Sequence, residues 1–400
     1  MIYRVNSFLG LILMMLLAWL LSSDRRRMDF RLILSGVGLQ ILFGVFIMKT
    51  SVGLKIFDVA RAVISRLISF SDDGAQFVFG EQFREHYFAF SVLPTIIFVS
   101  SLMAILFHLG IMQHVVSFMA RVMVKVMDAS GSESLAAAAN VFIGQTEAPL
   151  VVKPYLLTMT RSELMALMTG GMATVAGGVL AAYAGMGADP GHLLTASVMS
   201  APASLVLAKI IVPETEESNT RGYVRIQVPK QDSNVLDAAC RGASEGLMLA
   251  LNVAAMLIAF IALVGAFNWL CTLLPDIGGA PLTLQRVFSW MMAPFALMMG
   301  VEWQDAGIAG TLLGEKTVLN EFVAYVDLIK WRDQVSPRTF TLMTYALCGF
   351  ANFSSVAIQI GGIGSLVPSR RRDFAKLGLK AMVAGSLAAF MTACIAGMLL

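Results

Sequence analysis

Apolar residues run through this chain in blocks of membrane-spanning length, and the polar positions that interrupt them are as informative as the blocks. Val5 to Leu21 and Leu32 to Met48 are each just long enough to cross a bilayer, and Ser91 to Leu109 gives a third span. Arg25, Arg26, Arg27 and Arg31 lie between the first two, which the positive-inside rule places in the cytoplasm. Lys55 to Phe70 repeats differently: Ile56, Val59, Val63, Leu67 and Ile68 recur at helical spacing among Lys55, Asp58, Arg61 and Arg66. That pattern predicts an amphipathic helix on the membrane surface, and Ile111 to Met127 predicts a second on the inner side. Leu164 to Met186, His192 to Val212, Leu247 to Leu270, Phe340 to Ile360 and Phe374 to Leu400 complete the expected spans. Pro281 to Gly300 is apolar but reads as irregular, and an interfacial helix is expected near Val235 to Glu245. Pro213 to Asp237 reads as a polar loop with no function of its own.

Two apolar stretches are broken at their centres. Leu135 to Val152 carries Gly144-Gln145-Thr146-Glu147 in its middle, with Pro149 after it, and Val301 to Leu328 breaks at Asn320-Glu321. A carboxylate at membrane depth costs roughly 2.5–3.5 kcal/mol on insertion scales. It persists where it faces protein, water, an ion or a substrate, so two such carboxylates on broken segments point to a transport site. Each stretch suits a re-entrant helical hairpin, because irregular backbone at depth is tolerated only against protein or a cavity.

The order then resolves into two repeats. Hairpin, span, span over Ser134 to Val212 is followed by hairpin, span, span over Val301 to Leu400. Span counting brings the second hairpin in from the opposite side, the inverted arrangement of many secondary transporters. The expected fold is all-α and integral to the membrane, with about eight transmembrane helices, two re-entrant hairpins and interfacial amphipathic helices. Its divisions are scaffold at 1–130, transport repeats at 131–212 and 301–400, and a loop, interfacial helix and scaffold span at 213–300. The first span is read as retained, since no small-residue cleavage site follows it. Both termini then face outward.

Composition agrees. The 400 residues are 57% hydrophobic and only 14% charged, and mean hydropathy is +0.75. A net charge of +3 is too small to argue for nucleic-acid binding, and no nucleic-acid partner is expected. Cys240, Cys271, Cys348 and Cys394 form no CxxC pair, and the four histidines show no metal-ligand spacing.

In the first hairpin Asn140, Gln145, Thr146 and Glu147 combine donors with acceptors, while Gly144 and Pro149 free backbone groups to face a ligand. A helix–helix polar clamp would use Asn and Gln equally well. Thr174, if its span unwinds beside the hairpin tip, offers with Asn140 hard oxygens for a small cation such as Na+. In the second half Glu321, Asn352 and Ser355, with Phe350 nearby, suit a sugar hydroxyl cluster joined to a planar base. Asn352 and Ser355, three apart, are read as sharing a helix face. Lys316 precedes Glu321 by five residues, a poor spacing for an internal ion pair.

NVFIGQTEAPLVVKPYL from Asn140, GEKTVLNEFVAY from Gly314 and GFANFSS from Gly349 resemble the concentrative nucleoside transporter family, bacterial type, in order and spacing across essentially the whole chain. The resemblance implies a homotrimer in a bacterial inner membrane that imports nucleosides, uridine among them, on a cation gradient by an elevator movement. It implies nucleobase contacts from Gln145, Thr146, Glu147 and Phe350, and ribose contacts from Glu321, Asn352 and Ser355. It places Na+ among Asn140, the Ile143 carbonyl, Thr174 and the Val175 carbonyl, with no other cofactor. Proton-coupled relatives depart at the Asn140 position, so its presence favours sodium. Proton coupling through Glu147 or Glu321 is the alternative. An intramembrane enzyme using the two as an acid/base pair, or a channel, is the reading of a different class.

Overall fold

The computed structural model describes residues 1–86, 88–222, 232–277 and 279–400. Among these, regular structure is helical, and β-pairing is confined to two isolated bridges, Ser130 with Arg221 and Ile277 with Ala280. Seven helices or helix pairs are long and apolar enough to cross a membrane, and Phe353–Leu366 is a shorter apolar helix.

The core is built around three long helices. Arg161–Ala173, Pro190–Ile211 and Arg371–Leu399 pack against one another, and their apolar windows are mostly buried. Small residues make this possible: a Cβ on Gly385 would sit 2.5 Å from Met172 Cβ. The two N-terminal helices, expected in the scaffold, lie against this core. Ile2–Leu20 packs on Arg371–Leu399, and Phe30–Lys49 packs on Pro190–Ile211. Gln40 crosses between them to donate to Thr392 Oγ1 at 2.9 Å.

A second unit pairs Leu93–His108 with Val235–Cys271. Gly242 and Gly246 set their closeness, since an added Cβ would come within 2.6 Å of Ala104 and 2.8 Å of Ile97. Val235–Cys271 is one 37-residue helix. The separate interfacial helix near Val235 to Glu245 is therefore corrected: its turns continue into the span, with no Gly-Pro break to stop them. At 1.5 Å per residue the helix is about 55 Å long, well beyond a bilayer's apolar core. Pro281 to Gly300, read as irregular, contains the helix Leu284–Met298, which accommodates Pro294. The surface helix expected at Lys55 to Phe70 is longer, Ser51–Phe79.

Two expected spans are interrupted. Leu164 to Met186 divides into Arg161–Ala173 and Gly177–Met186, with 174–176 non-helical. Phe340 to Ile360 divides into Pro337–Leu347 and Phe353–Leu366, with 348–352 non-helical. The breaks meet: Phe350 N donates to the Thr174 carbonyl at 3.2 Å. Gly349, at φ +159°, allows the approach, because a Cβ there would lie 2.9 Å from the Met172 carbonyl oxygen and 3.0 Å from that of Ala173.

Of the broken stretches, the second forms two packed helices, Ala306–Val318 and Glu321–Lys330, turning at Leu319 and Asn320. The first is asymmetric: Gly131–Asn140 is followed by a turn and only four helical residues, Ala148–Val151. Gly131–Asn140 and Arg161–Ala173 begin side by side with matching capping boxes, Ser130 with Glu133 and Thr160 with Glu163. Lys209 closes this end, 2.7 Å from Glu133 and 3.1 Å from Glu214. The described part of the Pro213 to Asp237 loop, read as having no function of its own, is a structural part of the same clamp. Ser218 donates to Glu163 Oε1 at 2.6 Å, and Thr220 donates to Ser132 Oγ at 3.0 Å; residues 223–231 of that loop lie outside the described residues.

Glu133 is 1% exposed, so Lys209→Met leaves it a buried, uncompensated carboxylate. We expect a loss of about 3–5 kcal/mol, as when one partner of a buried pair is removed. The thermal midpoint of purified protein should fall by about 4–6 °C at this chain length. A midpoint equal to the wild type would show that the clamp bears no load.

Candidate functional site

The site lies where the two breaks and the two hairpin turns converge. Asn320 caps Glu321–Lys330, its Oδ1 accepting from Val323 N at 2.9 Å. Glu321 thus begins a helix, where the exposed N–H groups favour an anion. Its carboxylate accepts from Tyr183 OH at 3.0 Å and from Asn352 Nδ2 at 2.9 Å, and is 5% exposed. Lys316 makes no ion pair with it; Nζ donates instead to the Ala346 carbonyl at 2.7 Å, near the C-terminus of Pro337–Leu347. That bond ties the second hairpin to the helix before the break.

Asn352 is not a partner of Ser355 on a helix face, as the three-residue spacing suggested. It is the N-cap of Phe353–Leu366. Its Oδ1 accepts from Ser355 N at 2.8 Å and from Ser354 Oγ at 2.7 Å, which leaves Nδ2 directed at Glu321. Ser355 Oγ accepts from Gln145 Nε2 at 3.0 Å, across 210 residues of sequence. Gln145 Oε1 accepts in turn from Gln359 Nε2 at 3.0 Å. One polar string therefore runs from Tyr183 through Glu321, Asn352, Ser355 and Gln145 to Gln359, joining the two hairpins.

Thr146 and Glu147 stand apart from that string. Thr146 Oγ1 donates to Glu147 Oε1 at 3.0 Å, and the carboxylate folds back over Gly144, whose absent Cβ would lie 2.1 Å from Glu147 Oε2. Glu147 is exposed in a cavity of about 230 Å³ between the first hairpin and the Leu93–His108 and Val235–Cys271 pair. Ile143, Ser100, Glu245 and Leu249 also line it. At its edge Arg241 donates to both Asp232 oxygens, at 2.7 and 3.0 Å, and to Glu245 at 2.8 Å. The Arg241 guanidinium holds the Asp232 carboxyl below its usual range. Phe350 is half-buried at the second break.

Two of the four candidate cation residues, Asn140 and Thr174, meet at one helical turn. Asn140 Nδ2 donates to the Ala136 carbonyl at 3.0 Å and Thr174 Oγ1 donates to the Gly170 carbonyl at 2.9 Å. Asn140 Nδ2 would also lie 3.1 Å from a Cβ on Gly170, so Asn140 and Thr174 flank the same position. Asn140 Oδ1 is buried without a hydrogen-bond partner. A lone buried amide oxygen is costly, and a hard cation beside it removes that cost. Val175 is fully buried, and Phe142 O accepts from Gly177 N at 3.1 Å, fastening the turn after Asn140 to the restart of the helix.

Tyr183, Gln359 and Leu249 escaped sequence reasoning. Tyr183 and Gln359 are lone polar groups within apolar runs, GGVLAAYAGM and FSSVAIQIGGIGSL, a signal that helix clamps also give. Tyr183 is further fixed by stacking on Tyr325, ring centroids 4.0 Å apart.

Comparison with known proteins places this geometry. Models for the Na+ dependent nucleoside transporter N-terminus and C-terminus match residues 9–82 and 192–397, and a nucleoside recognition Gate model matches 89–190. The chain is 44% identical to rat solute carrier family 28 member 3 and 41% identical to rat sodium/nucleoside cotransporter 1, over 99% of its length in both cases. It spans 59% and 64% of those longer proteins. An uncharacterized Bacillus subtilis transporter, YutK, is 43% identical over 98% of both chains. CNTnw solved in an inward-facing, substrate-bound state superposes with TM-score 0.92 at 41% identity, covering 99% of this chain and 98% of that one. A doubly substituted CNTnw in an outward-facing state gives 0.94 at 40% identity, covering 99% and 98%. With more than half of the chain matched by the C-terminal model alone, the protein belongs to the concentrative, Na+ dependent nucleoside transporter family.

Proposed function

We propose that this protein imports nucleosides, uridine among them, down a Na+ gradient by an elevator movement. The observation that carries the reading is the polar string Tyr183–Glu321–Asn352–Ser355–Gln145, assembled where two interrupted helices touch and adjoining the unpartnered oxygen of Asn140. Glu321 and Asn352, with Ser355, would hold the ribose hydroxyls. Gln145, Thr146 and Glu147 would read the base, with Phe350 beside it and Leu249 facing it across the cavity. Na+ would sit among Asn140, the Ile143 carbonyl, Thr174 and the Val175 carbonyl.

The ion's role follows from the chain connection. Ile143 is two residues before Gln145, so an ion gripping the Ile143 carbonyl fixes the turn that presents the base-reading side chains. Coupling of that kind is reciprocal in binding: nucleoside must tighten Na+ by the same factor. The hairpins would be re-entrant, and the two transport repeats would travel past a scaffold built on Leu93–His108 and Val235–Cys271. That movement would take place within a homotrimer in a bacterial inner membrane, both termini outward. Rat sodium/nucleoside cotransporter 1 carries both partners in its name, and the solved relatives include inward- and outward-facing states, in keeping with this scheme. The relatives are transporters, and Glu147 and Glu321 make no contact with each other, so the acid/base enzyme reading is set aside.

The test is uptake of radiolabelled uridine into proteoliposomes, with and without an inward Na+ gradient, competed by other nucleosides. Concentrative uptake that needs Na+ is expected. Uptake that follows a pH gradient in Na+-free buffer would select proton coupling instead, and no competition by nucleosides would defeat the reading.

A further inference from the structure

Gln359 is fully buried and lies four residues beyond Ser355, on the helix that follows the second break. Its carboxamide has a polarity that the backbone dictates. Nε2 lies 3.1 Å from the Met168 carbonyl, which can only accept. The same nitrogen lies 3.0 Å from the Gln145 side chain, so the Gln145 atom facing it must be the oxygen. Gln145 consequently turns its NH2 toward Ser355 and the site, with one N–H given to Ser355 Oγ and the other left over. Gly171 leaves room for this relay, since a Cβ there would lie 2.6 Å from Gln359 Nε2 and 2.9 Å from Gln145 Cβ.

We propose that Gln359 is a positioning residue that fixes Gln145 as a hydrogen-bond donor toward the nucleobase, so that the site prefers bases presenting a carbonyl there over bases presenting an amino group. The inference rests on the nucleoside-transport reading above. Without the Met168–Gln359 relay, the Gln145 amide could rotate and meet either edge equally.

Two pairs of nucleosides isolate the effect, uridine against cytidine and inosine against adenosine, each pair exchanging an exocyclic oxygen for an amino group. Half-inhibitory concentrations against labelled uridine uptake are measured for all four. In the wild type the keto member of each pair should compete about three- to tenfold better, the discrimination expected of one hydrogen bond. Gln359→Met should bring both ratios to within about twofold of unity, since the amide then loses its fixed polarity. Gln359→Glu, which accepts where Gln359 donates, should invert them. A purely structural role for Gln359 would weaken all four nucleosides alike. Ratios unchanged in a folded Gln359→Met protein would overturn the proposal, as would a wild type with no keto preference, which decides the matter even if both variants fail to fold. A wild type that takes up no nucleoside would sink the transport reading itself, a separable result.

Discussion

Glu321→Gln should raise the nucleoside concentration for half-maximal uptake about 100-fold or more, whereas Glu147→Gln should cost far less. The variant at 321 should still fold. Its amide oxygen can accept from Asn352 Nδ2 and its NH2 can donate to Tyr183 OH, so both present partners of Glu321 stay satisfied. What it cannot do is accept both hydroxyls of a vicinal diol. A carboxylate has about four lone-pair positions, two of which are free of Tyr183 and Asn352. Hydrogen bonds to a charged group are worth roughly 1.5–3 kcal/mol each against about 1 for a neutral acceptor, so losing one and weakening the other accounts for a change on the order of 100-fold. Glu147 stands in an exposed setting with Thr146 as its partner, where water substitutes readily. Uptake kinetics at saturating Na+, normalised to protein in the membrane, decide the comparison. Near-normal uptake in both variants would remove Glu321 from the sugar site.

Asn140→Leu should abolish the dependence of nucleoside affinity on Na+. Leucine has the same branched skeleton but supplies no oxygen, and Asn140 Oδ1 is a buried acceptor without a protein partner. The first hairpin should keep its place, because its turn is also held by the Phe142–Gly177 backbone bond and by Ser197 Oγ, which donates to the Val141 carbonyl at 2.9 Å. The measurement is nucleoside affinity in detergent, with Na+ exchanged for choline at fixed ionic strength. In the wild type affinity should fall when Na+ is withdrawn; in Asn140→Leu it should be equally weak in both buffers. If the variant retained the wild-type ratio, the ion would have to bind elsewhere.

Hydropathy disclosed the spans because membrane length and apolar content are strong, additive signals. It marked the two broken stretches because a glutamate within an apolar run is expensive in a membrane. It handled the helix interruptions less well. Nothing in MTGGMATVAGG distinguishes two glycine pairs packed in a helix from two flanking an unwound segment, and only the partner segment at Gly349 decides the matter. Asn352 was placed on a helix face because three-residue spacing ignores capping. Its actual position at a helix start turns its amide, rather than its oxygen, toward Glu321. The apolar run from Leu247 gives no sign that the polar turns before it, with Arg241 and Glu245, belong to the same 37-residue helix and line the cavity. Tyr183 and Gln359 were invisible for a simpler reason. Each acts through a residue more than a hundred positions away in sequence, and no local pattern records that meeting.

The single backbone bond from Phe350 to Thr174 bears on how faithfully such a carrier can keep its two passengers together. On the proposed roles Thr174 would lie on the ion's side of the bond and Phe350 on the nucleoside's, and Gly349 lets the two segments approach so closely that a Cβ there would meet the Met172 and Ala173 carbonyls. A slip that sent sodium across alone would drain the gradient to no purpose. With both proposed determinants hung from one crossing point, the ion's half and the passenger's half would change sides as a unit in the proposed movement. Leakiness then becomes a property that a methyl group at position 349 could introduce.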